Sequence, residues 1–276
     1  MNEEFVIPDT HPRAESLKIR EKLIKGLEKG IVAKAGLIAH GRGEAFDYLI
    51  GEKTHEFAIE AMKAAVAAFL LAKRPVFSVN GNVAALVPRE YVKLAKILGA
   101  KLEVNLFYRT KNRESAIREV LLEAGADEVL GIDEEYRATI PEISHMRRFV
   151  DRRGIYVADV VFVPLEDGDR TMALRKLGKD VVTIDLNPLS RTAQWANITI
   201  VDNLVRAIPE MIKIAEEYKN KSKEELISVI KNYDNAKVIS QALLKIRERL
   251  RELAEKGIII EEATKFVKKW SILEKV

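Results

Sequence analysis

The chain has 276 residues, of which 47% are hydrophobic and 32% charged, a balance that suits one or two packed globular units and excludes a disordered chain. Its 46 basic and 42 acidic side chains leave a formal charge of +4, too mild to argue for a nucleic-acid binder. With no cysteine at all, disulfides, thiolate-held metals and a cysteine nucleophile are excluded.

No stretch reaches the ~20 apolar residues of a membrane span, and the opening MNEEFVIPDTHPR does not run from basic to apolar as a signal peptide does. The expectation is a cytoplasmic protein without nucleic-acid or membrane partners. Lys, Glu and Ile are abundant and Gln194 and Gln241 are the only glutamines, a composition like that of hyperthermophile proteins.

From Arg13 to Tyr48 the pattern is helical: Leu17, Ile24, Leu27 and Ile31 recur at steps of three and four once Arg20 is counted in the row. Gly36, Gly41, Gly43 and Gly51 are expected to break the chain around AHGRGEAFDYLIG, which makes His40-Gly41-Arg42-Gly43 a loop. Thr54 is expected to cap a helix through HEFAIEAMKAAVAAFLLA, which is apolar nearly all round and so belongs inside the molecule or between two copies of it.

From Pro75 the texture changes to short β-branched runs alternating with amphipathic helices, the mark of parallel βαβ units. Strands are expected from Val76, Leu102, Glu128, Asp159, Val181 and Ile198, with helices near 90–98, 113–124, 144–153, 171–177 and 204–218. Ser222 and Glu225 then stand at capping-box spacing ahead of two helices, KEELISVIK and AKVISQALLKIRERLRELAEKG. The expected fold is α/β: a Rossmann-like, doubly wound, mainly parallel sheet with a helical N-terminal segment and a helical C-terminal tail. Residues 1–74 would pack on a ligand-binding core at 75–220, and 221–276 would extend it, all as one compact unit.

Parallel sheets bind ligands at the carboxyl ends of their strands. The first such loop reads Asn80-Gly81-Asn82 with no G-x-G-x-x-G, and G-x-x-x-x-G-K-[ST] is absent too, which removes the main support for a dinucleotide oxidoreductase or a P-loop nucleotidase. His11, His40, His55 and His145 show no H-E-x-x-H spacing, and no serine sits in G-x-S-x-G.

Five groupings carry the candidate chemistry. Arg20 sits in an apolar row where a guanidinium needs an anion; a ligand and an intramolecular salt bridge both satisfy that. Arg42, between two glycines, suits a phosphate or a plain turn. Arg109, Lys111 and Arg113 flank a capping Thr110 where a strand hands over to a helix, which fits an anion site or a solvated face. The related run His145, Arg147, Arg148, Asp151 and Arg152 has helical spacing. Glu166, Asp167 and Asp169 can hold hydrated magnesium or simply form a turn and a cap. Last, Asp185-Leu186-Asn187 with Arg191 and Thr192, followed by Asp202-Asn203, gives two strand-terminal acid endings of the kind that accept ribose hydroxyls.

With these stretches assembled, the sequence closely resembles the archaeal 4-phosphopantoate--β-alanine ligases, or phosphopantothenate synthetases. The likeness is carried by IPDTHPRAESLKIRE, GLIAHGRGEAFDYLIGE, VNGNVAAL, PLEDGDRT, TIDLNPLSRTAQ and ITIVDN; the charged tail after Lys221 is the least typical part and is read as packing only. The resemblance implies an ATP-dependent homodimeric enzyme of coenzyme A biosynthesis that joins 4-phosphopantoate to β-alanine and releases AMP and diphosphate, with magnesium. It implies ATP contacts from Arg20, Arg42, Asp185, Leu186, Asn187, Arg191, Thr192, Asp202 and Asn203. Arg109, Lys111 and Arg113 are then candidates for the substrate phosphate, Glu166, Asp167 and Asp169 for the metal, and His145, Asp151 and Asp159 for the catalytic base. Another ATP-dependent carboxylate-amine ligase, or a non-catalytic nucleotide-binding regulatory protein, remains as an alternative.

Overall fold

The computed structural model describes residues 7–257; residues 1–6 and 258–276, which fall in the first and third expected segments, lie outside the described residues. Three helices lead: α1 (Ala14–Glu28), α2 (Lys34–Ile50) and α3 (Glu56–Leu71). Strand β1 (Pro75–Val79), helices α4 (Gly81–Leu86) and α5 (Pro88–Ile97), β2 (Lys101–Val104) and α6 (Lys111–Glu123) follow. Then come β3 (Arg137–Thr139), β4 (Phe149–Asp151), β5 (Val160–Phe162), α7 (Gly168–Lys176), β6 (Asp180–Ile184), α8 (Arg191–Trp195), β7 (Ile198–Ile200), α9 (Leu204–Tyr218), α10 (Lys223–Lys231) and α11 (Asn235–Lys256).

The main sheet has the order β2-β1-β5-β6-β7, and each neighbouring pair is parallel. The chain leaves β1 toward β2 on one side and returns to β5 on the other, so the topological switch point lies between β1 and β5. Ligands of such sheets sit outside that crevice. Every residue of β1, β5 and β7 is buried, as strands covered on both faces require. Phe69, Phe77, Tyr91 and Phe162 meet ring to ring at 5.0–5.7 Å beneath the crevice.

Helix α3 is buried as its composition demands, but the chain covers it by itself: α9, α10, α11 and β7 all pack on it. Its apolar surface therefore does not call for a second copy. The capping box of Ser222 and Glu225 opens α10 as expected. Tyr233 and Asn235, on the way into α11, accept the Thr199 backbone N–H and tie the tail to β7.

Four expectations fail locally. The glycines of α2 do not break it; the helix runs through Gly36, Gly41 and Gly43 and ends at Gly51, whose φ of 110° supplies the left-handed cap. Gly36 serves close approach instead, since a Cβ there would lie 2.5 Å from Asn82 Oδ1. The strand expected from Glu128 reduces to one bridge, Glu103 to Leu130. The helix expected over 144–153 is a 3-10 turn at Met146–Arg148 followed by β4, which pairs antiparallel with β3. His145 accepts the Arg147 N–H and closes that turn, and the β-forming Phe149 and Val150 then take the chain into the hairpin. Helix α3 also starts one residue later than expected, with His55 as its N-cap; Thr54 donates to Asp202 instead.

Candidate functional site

A cleft of about 610 Å³ opens at the carboxyl ends of β1, β5, β6 and β7, with α2 as its facing wall. At its centre Asn80, the residue after β1, donates to Pro164 O at 2.9 Å across the switch point and accepts the Val83 N–H at 3.1 Å, which caps α4. One amide thus fixes both loops of the crevice.

At the β6 end Asp185 accepts the Asn187 N–H at 2.9 Å and the Ser190 hydroxyl. Burial pushes its carboxyl above the ordinary value, while Ser190, Asn187 and the charge of Arg42 pull the other way. Ser190 also caps α8 by accepting the Ala193 N–H at 3.0 Å. Thr192 donates to Glu166 O at 2.8 Å, and Gly168 lets the start of α7 touch α8, since a Cβ there would lie 2.3 Å from Arg191 Cβ. Leu186, Asn187, Arg191, Thr192 and Arg42 all face the cleft.

At the β7 end Asn203 faces the cleft, but its neighbour Asp202 does not. The Asp202 carboxylate turns to Thr54 Oγ1 at 2.6 Å and Arg206 Nε at 2.9 Å. Arg20 is likewise outside: from α1 it grips Glu44 of α2 with contacts of 2.8–3.1 Å, so its anion is intramolecular.

The three cations after β2 part company. The Arg109 side chain is 7% exposed and held by Glu114, Phe149 O and Gly131 O, and that of Lys111 is 85% exposed and reaches Glu134 at 3.4 Å. Arg113 faces the cleft. Its Nη2 donates to Ile31 O at 2.9 Å and its Nη1 to Tyr108 O, whereas Nε is buried and unpartnered. Burial lowers its pKa, and among the described residues no carboxylate lies within ion-pair distance of it.

After β5, Glu166 is wedged between Arg147 and Arg170, and Asp167 lies 2.9 Å from Arg147 Nη1. Burial pushes both guanidiniums down to about 10. Asp169 accepts from His145 Nε2 at 3.0 Å. With Nδ1 accepting the Arg147 N–H, both ring nitrogens of His145 are engaged; its ring stacks on Phe107 at 4.6 Å. Glu166 therefore does not fit a metal: both its oxygens face guanidiniums. Among the described residues no group of three or more His, Asp or Glu is gathered to hold an ion.

The remaining base candidates lie elsewhere. Asp151 is buried under the hairpin, accepting the Gly131 N–H and Arg153. Asp159 precedes β5 rather than following it, and at that amino end it accepts the N–H groups of Lys73, Arg74 and Val160. Two further cleft residues, His40 and Arg147, stand in runs that the sequence singles out but with the wrong local structure and no assigned role: His40, expected in a loop, lies in α2, and Arg147, expected on a helix, lies in a 3-10 turn. Asn80 and Asn82 carried a usable signal, their place directly after a strand.

A family model described as phosphopantothenate/pantothenate synthetase matches residues 57–249. A Thermococcus kodakarensis protein named 4-phosphopantoate--beta-alanine ligase is 62% identical over 253 residues, 91% of this chain and 96% of its own. Proteins of the same name from Methanosarcina mazei and Methanospirillum hungatei are 56% and 46% identical, over 90% and 89% of this chain and 97% and 98% of theirs. Because the family match runs to residue 249, α10 and most of α11 are part of the family's pattern rather than an atypical tail.

Proposed function

This chain belongs to the phosphopantothenate/pantothenate synthetase family, and on that premise we propose that it joins 4-phosphopantoate to β-alanine with ATP, giving 4'-phosphopantothenate, AMP and diphosphate in coenzyme A biosynthesis. The observation that carries the assignment of parts is that one cleft is lined both by Asp185 and Arg191 and by Arg113. The nucleotide and the phosphorylated acid are assigned to it together.

ATP takes the β6–β7 end. Asp185 is placed to accept ribose hydroxyls, and Arg42 and Arg191 to meet the phosphates with Asn187, Thr192 and Asn203 around them. Arg113 takes the phosphate of the acid. A carboxylate is a poor acyl donor because oxide would have to leave. Its oxygen therefore attacks the α-phosphorus, the bond to the bridging oxygen breaks, and diphosphate departs. The amine of β-alanine then attacks the acyl carbon, AMP leaves, and the amine loses a proton. The protein's part is positioning and charge stabilisation, with no covalent enzyme nucleophile. Magnesium binds mainly through phosphates and water, so Asp167 and Asp169 at the cleft are the acids assigned to reach it. The role of base is not given to His145, whose nitrogens are engaged, or to Asp151 and Asp159, which lie outside the cleft.

A homodimer and a cytoplasmic location belong to the proposal through the family resemblance; no helix among the described residues is long and apolar enough to cross a membrane. Omitting ATP, magnesium, 4-phosphopantoate and β-alanine in turn, with AMP and ADP quantified, tests the chemistry. AMP is expected only with all four present, and stoichiometric ADP overturns the adenylate route. A monomer by light scattering at micromolar concentration overturns the dimer.

A further inference from the structure

Helix α2 carries one wall of the cleft, yet it is hardly held by apolar burial. Of its 17 residues only Glu44, Asp47 and Ile50 are buried, and two of those three are carboxylates. A helix with so narrow an apolar contact takes its position from polar partners.

Asp47 supplies the strongest of them. Its oxygens accept Arg206 Nη1 at 3.1 Å, Arg206 Nη2 at 2.6 Å and Asn203 Nδ2 at 3.0 Å. The third guanidinium nitrogen, Nε, donates to Asp202 at 2.9 Å. One planar fork therefore joins α2 to the turn between β7 and α9, a geometry that a lysine cannot reproduce. Burial opposes the charge on Arg206, but Asp47 and Asp202 outweigh it and hold the guanidinium above its ordinary pKa. Gly43, one turn before Asp47, approaches Leu186, and Arg42 beside it acts on Asp185.

We propose that Arg206 is a positioning residue for the nucleotide: it does not line the cleft, but through Asp47 and Asp202 it sets the gap between α2 and the ends of β6 and β7, the gap that Arg42 and Asp185 span. The inference rests on the assignment of ATP to that end. It also gives Asp202 a role, as the anchor of the fork rather than as a ligand contact.

The test compares wild type with Arg206→Lys, Arg206→Gln, Asp47→Asn and the double variant Asp47→Asn/Arg206→Gln. The double variant replaces the Asp47–Arg206 ion pair by a neutral pair, so that Asp47 is not left as an unpaired buried charge, while Asp202 loses its cation and keeps the Thr54 hydroxyl and the Asn203 N–H. Each protein is assayed for kcat and for the KM of all three substrates, for ATP binding by calorimetry, and for backbone hydrogen exchange. The expected result in the double variant is a rise of about tenfold or more in the ATP KM, the loss of one charge-assisted contact. The KM values of 4-phosphopantoate and β-alanine should stay within about twofold and kcat within about threefold, with faster exchange confined to α2. Arg206→Lys should recover part of the ATP affinity, and the double variant should be no worse than the sum of its parts predicts, because both changes break one contact. An unchanged ATP KM in a folded variant overturns the proposal, as does a uniform loss in all substrates that tracks melting temperature. Wild type that binds no ATP would instead remove the nucleotide assignment itself, and calorimetry on wild type separates the two failures.

Discussion

Arg113→Gln isolates the cation assigned to the acid's phosphate. The guanidinium gives two hydrogen bonds to backbone carbonyls, Ile31 O at 2.9 Å and Tyr108 O, and keeps a buried Nε with no partner. Losing two such bonds costs about 1 kcal/mol each. Removing a half-buried cation that lacks a carboxylate returns a similar amount, so stability should change by no more than about 1 kcal/mol in urea unfolding. Binding is different, since the charge, which no carboxylate among the described residues neutralises, is what a dianion would meet. One charge-assisted contact of about 1.5–3 kcal/mol corresponds to about 10- to 150-fold in kcat/KM. That loss should fall on 4-phosphopantoate and spare pantoate, so the ratio of kcat/KM for the two acids shrinks by the same factor. If both acids lose equally, Arg113 shapes the cleft and recognises no phosphate, and Arg147 beside it becomes the better candidate.

Arg42→Ala should raise the ATP KM by about tenfold or more with little change in melting temperature, because its side chain makes no ion pair or hydrogen bond among the described residues; a matched fall in both would mark a structural arginine. Burial pushes Glu103 from 4.5 up to about 7 against the Ile155 and Asp151 N–H groups. The folded state then keeps a proton that the unfolded chain releases, so this residue's contribution is full below about pH 4.5 and falls by about 3 kcal/mol as pH rises to 7. The stability gap between wild type and Glu103→Gln, measured by urea unfolding from pH 4.5 to 8, should narrow over that window; a constant gap refutes the titration. Deleting residues 221–276 uncovers α3 and strips the Thr199 N–H of Tyr233 and Asn235. The product should lose cooperative unfolding, and a wild-type melt would show that the tail is dispensable.

The sheet was legible because buried parallel strands must be short β-branched runs, and β1, β5, β6 and β7 announce themselves that way. Their carboxyl ends then gave Asp185, Asn187, Arg191 and Thr192 as cleft residues directly. Legibility stopped where tertiary contacts overrode local preference. Gly36, Gly41 and Gly43 have poor helix propensity, yet α2 runs through all three, and Gly36 lets it pack closely on Asn82. The run from Ser144 to Arg153 has charges at helical spacing, but Asp151 gives its N–H to the buried Glu103 carboxylate and so commits the segment to the hairpin. No local pattern could show a partner 48 positions away.

The arginines make the same point about function. Arg20, Arg109, Arg153 and Arg206 each hold a carboxylate of this chain, and none of the four lines the cleft. Arg42, Arg113 and Arg191 line it and form no ion pair among the described residues. A guanidinium left without an anion in a partly buried cleft is costly to keep there unless a ligand supplies one. Sequence offers all seven as equals, because an arginine's partner lies up to 159 positions away, as between Arg206 and Asp47. Folding does part of the sorting: it neutralises Arg20, Arg109, Arg153 and Arg206 away from the cleft and leaves Arg42, Arg113 and Arg191 unpaired along it, while Arg147 lines the cleft already matched by Glu166 and Asp167. The near balance of charge over the whole chain, +4 among 88 charged side chains, is repeated in the cleft, where Arg42, Arg113, Arg147 and Arg191 stand with Glu166, Asp167, Asp169 and Asp185, so the unpaired guanidiniums matter by their place rather than by a net charge.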